Sequence, residues 1–259
     1  MSGVEWTTAI AQVDVDDVVV RGHRLSDLVG HVTYTDMAFL LVRGSLPTDS
    51  ERAMLDGILV ALADHGISPT TIVARTLTSC GTPIQASMAG AMLSIADWHG
   101  GSGEEVARIL AELAKESEQT DPGERRAGCD GFVAARVAAR TQVPGFGHPQ
   151  HSDGDPRARQ LLQLAAALDV AGGYCELVVV LGEALAERTG RPQLRLPNVT
   201  GALAAILLDL GFPWQSIRGI VIAARSLGLT AHIVEELEQG NRWRHAPADA
   251  VQYTGPLAP

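Results

Sequence analysis

Pro47-Thr48-Asp49-Ser50-Glu51-Arg52-Ala53-Met54-Leu55-Asp56-Gly57-Ile58-Leu59-Val60-Ala61-Leu62 is the stretch that sets the class of fold. Thr48 and Glu51 make a Thr-x-x-Glu capping box, in which hydroxyl and carboxylate each take a backbone N–H that the start of a helix leaves unpaired. Met54, Leu55, Ile58, Leu59 and Leu62 then fall on one face at helical spacing, and Ala63-Asp64-His65-Gly66 ends the element.

The same signals recur in both directions from this helix. Upstream, Thr35 is placed to cap a helix that runs to Val42 and stops at Gly44. Only residues 14–21 have strand character, through Val18-Val19-Val20 before Arg21-Gly22. Downstream, Ser68-Pro69 supplies a cap and a first-turn proline. Residues 83–98 are rich in Ala, Gly, Ser and Met, small enough for helices to pack closely. Ser102 and Glu105 suggest a second capping box ahead of an apolar face of Val106, Ile109, Leu110 and Leu113. The charged residues 115–126, with Pro122-Gly123, read as a solvated loop or hinge, and 125–140 as helix. Further helices are expected over 157–168, 174–189 and 199–210, and a pair within 214–239 broken near Leu227-Gly228. The expected fold class is all-α.

A chain of 259 residues buries enough apolar surface to fold without staples. Cys80, Cys129 and Cys175 are an odd set, widely spaced and without C-x-x-C, so they read as buried thiols of a reducing compartment and point to the cytoplasm. Residues 1–17 have no apolar core flanked by basic residues, and no uninterrupted apolar run reaches membrane length, so neither secretion nor membrane spanning is expected. The formal net charge of -10 argues against nucleic acid or an anionic lipid surface as partner. An anionic small molecule would have to be held by arginines and histidines that converge locally.

One loop interrupts the helical pattern. Pro144, Gly145, Gly147, Pro149, Gly154 and Pro156 forbid a regular helix across 143–156. His148-Pro149-Gln150-His151 within it lacks a third nearby ligand and is not read as a metal clip. Gly100-Gly101-Ser102-Gly103 follows no strand and precedes no Walker lysine, so it is read as a helix-opening turn and not a dinucleotide fingerprint. His23, His31, His151 and His232 are read as structural or surface histidines.

The run from Val20 to Leu28, with Ala38-Phe39-Leu40-Leu41 and Gly44-Ser45-Leu46-Pro47-Thr48, resembles the opening of citrate synthases. In the same order as that family come Ala63-Asp64-His65, Trp98-His99-Gly100-Gly101, Pro144-Gly145-Phe146-Gly147-His148, Asp155-Pro156-Arg157, Pro197-Asn198-Val199, and Ala224-Arg225-Ser226-Leu227-Gly228 with Ala231-His232. One helix joins Thr48 to His65, where the larger synthases carry a block of helices, so the chain resembles the short, citryl-CoA lyase-like form. Its tail, Leu237-Glu238-Gln239-Gly240 to Pro247, is similar to the end of the citryl-CoA lyase portion of ATP-citrate lyase.

The resemblance implies a multi-helical bundle with a large domain, from residues 1–101 and 196–259, and a small mobile domain from 102–195. It implies carbon–carbon bond chemistry between an acyl-CoA and an anionic 2-oxo acid, with a coenzyme A thioester as substrate, no prosthetic group and no metal. By the same resemblance His99 meets the charge that develops on the thioester oxygen, and His148 protonates or polarises the oxygen of the partner acid. His65, Arg157, Arg225 and Arg244 would hold the carboxylates of a di- or tricarboxylate, arginine being suited by its planar fork. In the family the last of these arginines comes from the neighbouring subunit, which implies a homodimer with sites completed across the interface. Pro144, Gly145, Phe146 and Gly147 would lie along coenzyme A, Asn198 would cap the helix that follows it, and Thr200 occupies the position of the family's aspartate. Threonine is not a useful base near neutral pH. Another group relays the proton, the substrate differs, or the chain is weakly active or inactive on the usual pair.

Overall fold

The computed structural model describes residues 6–116, 121–147 and 154–256, with Glu116 through its backbone alone. Three short strands, β1 (Ala11–Val13), β2 (Val18–Val20) and β3 (His23–Arg24), form an antiparallel sheet in that order, with Ala11 opposite Val20 and Val19 opposite Arg24. Only β2 carries the β-branched run that reads as strand; β1 and β3 exist because they pair with it. Everything else regular among the described residues is helical: α1 (Leu25–Leu28), α2 (Tyr34–Val42), α3 (Asp49–Ala63), α4 (Pro69–Ser79), α5 (Ile84–Met92), α6 (Ser102–Glu116), α7 (Pro122–Ala138), α8 (Pro156–Ala167), α9 (Gly173–Thr189), α10 (Val199–Asp209) and α11 (Ile217–Glu238). The fold is all-α with a small sheet at its start.

The expected capping box opens α3: Glu51 N–H donates to Thr48 Oγ1 at 3.2 Å and Thr48 N–H to Glu51 Oε2 at 2.7 Å. At α2 the cap is Thr33, not Thr35. Thr33 and Asp36 form a reciprocal box at 3.1 and 2.7 Å, while Thr35 sits inside the helix, buried, its hydroxyl on Asp56. Pro122-Gly123 is no hinge, because Asp121 caps Gly123 N–H at 2.8 Å and makes the proline the first residue of α7. Nor does Gly228 divide the last helix, since α11 runs through it.

Two compact units emerge from the packing: Met1–Ala61 with Gly100–Val221, and Leu62–His99 with Ile222–Pro259. This is a division by packing, whereas the boundaries expected at 101/102 and 195/196 concern which residues move together. In the first unit α10 is the central element, packed on α6, α8 and α9. From Val199 through Leu207 all but Thr200 are buried, which is what an apolar helix of Ala, Leu and Ile without a polar face requires. Its last residue, Asp209, accepts from Gly172, Tyr174 and Cys175 N–H at 2.9 to 3.0 Å and so caps α9 from a distance in sequence. In the second unit, Ala74 of α4, Ala91 of α5 and Leu229 and Ile233 of α11 share a buried core with Val73, Met88 and Met92. Gly90 is small for a reason: a Cβ there would lie 2.4 Å from Leu77 Cδ1.

The run Trp214–Glu238 is long and apolar enough, by length and composition only, to cross a membrane. Within it Arg218 pairs with Glu104, Arg225 donates to Leu62 O and Glu236 pairs with Arg75, so its charges are used inside the fold.

Candidate active site

The first constellation is organised by the N-terminus of α10, and Asn198 is its hub. Asn198 Oδ1 accepts from Thr200 N–H at 3.0 Å and Gly201 N–H at 3.2 Å, the N-cap bonds expected of it. Its own N–H donates to Gly145 O and its Nδ2 to Gly147 O, both at 2.8 Å. One residue, by backbone and side chain together, therefore ties the loop through Pro144, Gly145, Phe146 and Gly147 to the helix start. Gly145 and Gly147 have φ of 85° and 75°, where glycine is favoured. Gly145 is also demanded by packing, because a Cβ on it would lie 2.6 Å from Val106 Cγ2 and 3.1 Å from the Cα of Gly201.

Thr200 is fully engaged within the chain. Its hydroxyl donates to Asn198 Oδ1 at 2.7 Å and accepts from Ser102 Oγ at 3.1 Å. Ser102 is the first residue of α6 and not its cap; the hydroxyl expected to serve Glu105 serves Thr200 instead, while Glu105 pairs with Arg136. The bonds run in one direction, Ser102 to Thr200 to Asn198, so the position at which the resemblance leads one to expect an aspartate holds a hydroxyl engaged on both sides.

Asp155 caps α8 and is 3 % exposed. Its Oδ1 accepts from Arg157 N–H at 3.0 Å and Nε at 3.1 Å, and its Oδ2 from Arg157 Nη2 at 2.9 Å and Val199 N–H at 3.0 Å. Burial alone would raise its pKa, but the Arg157 guanidinium and the Val199 N–H outweigh it and hold the carboxyl below the usual value. Arg157 thus presents its two-nitrogen edge to Asp155, and only Nη1 is not engaged by that carboxylate.

The second constellation lies in the other unit. His99 and Ala96 exchange backbone hydrogen bonds at 2.9 and 3.0 Å around the turn Asp97-Trp98, which fixes the backbone at His99. Its imidazole is half-buried, and burial, then the charges of Arg225 and His65, push its pKa below the ordinary 6.5. The ring is therefore neutral at pH 7 and carries one N–H to donate. Arg225 is buried at 8 % exposure, and its Nε donates to Leu62 O at 2.9 Å, which sets the plane of the guanidinium. His65 is exposed just beyond the end of α3. His65, His99 and Arg225, read separately from three motifs, are near enough to interact electrostatically.

Arg244 is held by the chain itself. Its Nε and Nη2 both reach Glu236, a carboxylate 1 % exposed that also accepts from Arg75 Nε at 2.7 Å. His148 and His151 lie outside the described residues. Sequence reasoning missed Ser102 as the partner of Thr200, a contact 98 residues apart; His232, read as a structural or surface histidine, bonds Asp64 and Arg75.

A family model for the citrate synthase C-terminal domain matches residues 48–246. Among solved structures, the chain is similar to citryl-CoA lyase from Hydrogenobacter thermophilus, with 31% identity, a TM-score of 0.87, and 98% of this chain and 96% of that one covered. It shares its fold with ATP citrate lyase from Methanothrix soehngenii, solved with citrate and coenzyme A, at 19% identity and a TM-score of 0.79 over 99% of this chain and 43% of that one. Citrate synthase 2 of Bacillus subtilis is 26% identical over 219 residues, 83% of this chain and 54% of that protein. The chain spans about half the length of the curated relatives it matches. With a family model that matches most of the chain, the chain belongs to the citrate synthase family.

Proposed function

We propose that the chain breaks, or in reverse makes, the carbon–carbon bond between an acyl-CoA, such as acetyl-CoA, and a 2-oxo acid such as oxaloacetate, in the manner of a citryl-CoA lyase. The observation that carries this reading is a half-buried His99 held neutral beside Arg225 and His65. Cleavage of a citryl-CoA-type thioester takes the proton from the 3-hydroxyl and breaks the bond between the second and third carbons. The electron pair passes to the thioester carbonyl as an enolate, the 2-oxo acid is released, and the enolate carbon is protonated. A neutral imidazole donates to that oxygen without first losing a charge, as in other enolisations. In this reading His148 takes the hydroxyl proton and His65 and Arg225 hold carboxylates, while Arg157 and Arg244 join them by giving up contacts to Asp155 and Glu236. Residues 144–147 follow the coenzyme A.

The same reading includes a homodimer. Ile72, Ile84, Leu93, Leu227, Val234 and Leu237 are exposed in the second unit and offer apolar surface for a second copy of the chain to cover. Light scattering of the purified protein should give twice the mass of 27.3 kDa. A cytoplasmic location is proposed on the unpaired cysteines: Cys129 and Cys175 are buried, burial pushing Cys129 up to about 11, whereas Cys80, expected to be buried, is exposed at the end of α4.

The test is incubation with citryl-CoA, following oxaloacetate by NADH-coupled reduction and acetyl-CoA by mass spectrometry. Acetyl-CoA with oxaloacetate or pyruvate tests the reverse direction. Failure to consume or bind any of these thioesters would end the proposal. The committed hydroxyl of Thr200 favours a second reading, a catalytically impaired homologue that still binds coenzyme A thioesters and dicarboxylates. Thr200→Asp separates the two: a large gain in citryl-CoA turnover supports the impaired site, and no gain favours a different base or substrate.

A further inference from the structure

The segment that presents His65 is held from one stripe of α11. Arg225, Gly228, His232 and Glu236 follow at helical spacing and so share a face. Arg225 Nε donates to Leu62 O at 2.9 Å. Gly228 admits Ala63, whose carbonyl oxygen would lie 2.1 Å from a Cβ at that position. His232 Nε2 meets Asp64 Oδ1 at 3.0 Å, and Asp64 Oδ2 accepts from Gly66 N–H at 2.8 Å. Three consecutive residues ahead of His65 thus each meet one α11 position, two by hydrogen bonds and Ala63 by close packing.

His232 is oriented in its turn. Its Nδ1 lies 3.1 Å from Arg75 Nη1, and a guanidinium only donates, so Nδ1 accepts. The proton of a neutral ring is then on Nε2, where it donates to Asp64. Arg75 is locked by buried Glu236 at 2.7 Å, by Gln239 at 2.8 Å and by Glu235. The His232 side chain is 16% exposed, so the ring itself is largely shielded from water, while its partner Asp64 is 47% exposed.

We infer that His232 is a positioning residue for the proposed reaction: through Asp64 it holds the turn that presents His65, with Arg75 and Glu236 fixing its tautomer. The inference rests on the reading of His65 as a substrate contact. Two substitutions separate the two ring nitrogens. The amide of His232→Gln reaches the level of Nε2 and keeps a donor for Asp64, whereas the oxygen of His232→Asn replaces Nδ1, keeps the acceptor for Arg75 and leaves Asp64 without its partner.

The readouts are amide hydrogen exchange of residues 63–66 in the full chain and the kcat and KM for citryl-CoA. His232→Asn should speed exchange in that segment by about tenfold and raise KM by a similar factor with kcat little changed, the size expected for one net hydrogen bond. His232→Gln should stay near wild type in both. In an Asp64→Ala background His232→Asn should add nothing, because the bond it removes is already absent. Asp64 is largely solvent-accessible, so Asp64→Ala also stands in if the asparagine variant does not fold. Wild-type exchange in His232→Asn, equal damage from the glutamine variant, or additivity in the double variant would overturn the inference. Absence of turnover by the wild type would instead defeat the proposed reaction, and the exchange results would still decide the role of His232.

Discussion

The constellation around Asn198 and the one around His99 treat polar groups in opposite ways. At Asn198 the polar side chains satisfy one another: Ser102, Thr200, Asp155 and Arg157 each have a partner from the same unit. At His99 burial and neighbouring cations work against a protonated ring. A closed network fixes geometry and resists change, whereas an imidazole that burial and nearby charge keep neutral retains a hydrogen bond to offer a substrate. On the proposed reading, the difference gives the chemistry to His99 and the architecture to Asp155 and Thr200.

The largest effect should follow from removing the perturbed group. His99→Ala should lower kcat by about 10² to 10³-fold, the cost of losing one placed donor to a developing oxyanion, with a smaller change in KM. His99→Asn, which keeps an N–H, should recover part of the loss. The pH dependence carries a definite sign. The folded pKa of His99 is depressed, so the neutral ring persists as pH falls through 6.5 and the activity it supports declines only below that value. The unfolded chain takes up this proton first, so stability also falls as pH drops below 6.5. A decline attributable to His99 that began above 6.5 would contradict its placement.

Much of this architecture was legible in local signals. The capping box and apolar face at Thr48, the proline after Ser68 and the unbroken apolar run of α10 are properties of neighbouring residues, and they set the helices directly. Distant contacts were not legible. Gly228 reads as a break because glycine costs a helix about 1 kcal/mol, yet the backbone oxygen of Ala63 needs the space it leaves. Thr33 and Thr35 are both plausible caps, and the choice falls on Thr33 because Asp36 closes its box while Asp56, on another helix, engages Thr35. The order of motifs picked out His65, His99 and Arg225. It could not reveal that Arg157 is turned toward Asp155 or that Arg244 is held by Glu236, since both depend on which carboxylate the fold brings within reach.

A second effect tests the closed side of the comparison. Asp155→Ala should cost about 2 to 3 kcal/mol in urea unfolding at neutral pH, the penalty for stranding Arg157 and Val199 N–H, reduced because Arg157 is partly exposed. The folded pKa of Asp155 is depressed, so its contribution is complete above the ordinary 3.8 and is lost as pH falls through the lower folded value. The wild-type and Asp155→Ala unfolding curves should therefore converge in acid. A gap that stayed constant from neutral pH to well below 3.8 would mean that packing, not charge, carries the effect.

The smallest effect concerns the hydroxyl that stands in the place of a carboxylate. Thr200→Val keeps the shape but removes both the donor to Asn198 Oδ1 and the acceptor for Ser102 Oγ. Asn198 Oδ1 retains the N–H groups of residues 200 and 201, so the cap survives, and Ser102 bears most of the loss. The expected cost is about 1 kcal/mol, measured as a shift of the urea midpoint, with Thr200→Ser close to wild type. If Thr200 serves only the network, neither substitution should change kcat on citryl-CoA by more than about twofold, because the reaction makes no use of that proton. A valine variant that kept its stability but lost most of its turnover would reverse the assignment and move Thr200 from the architecture to the chemistry.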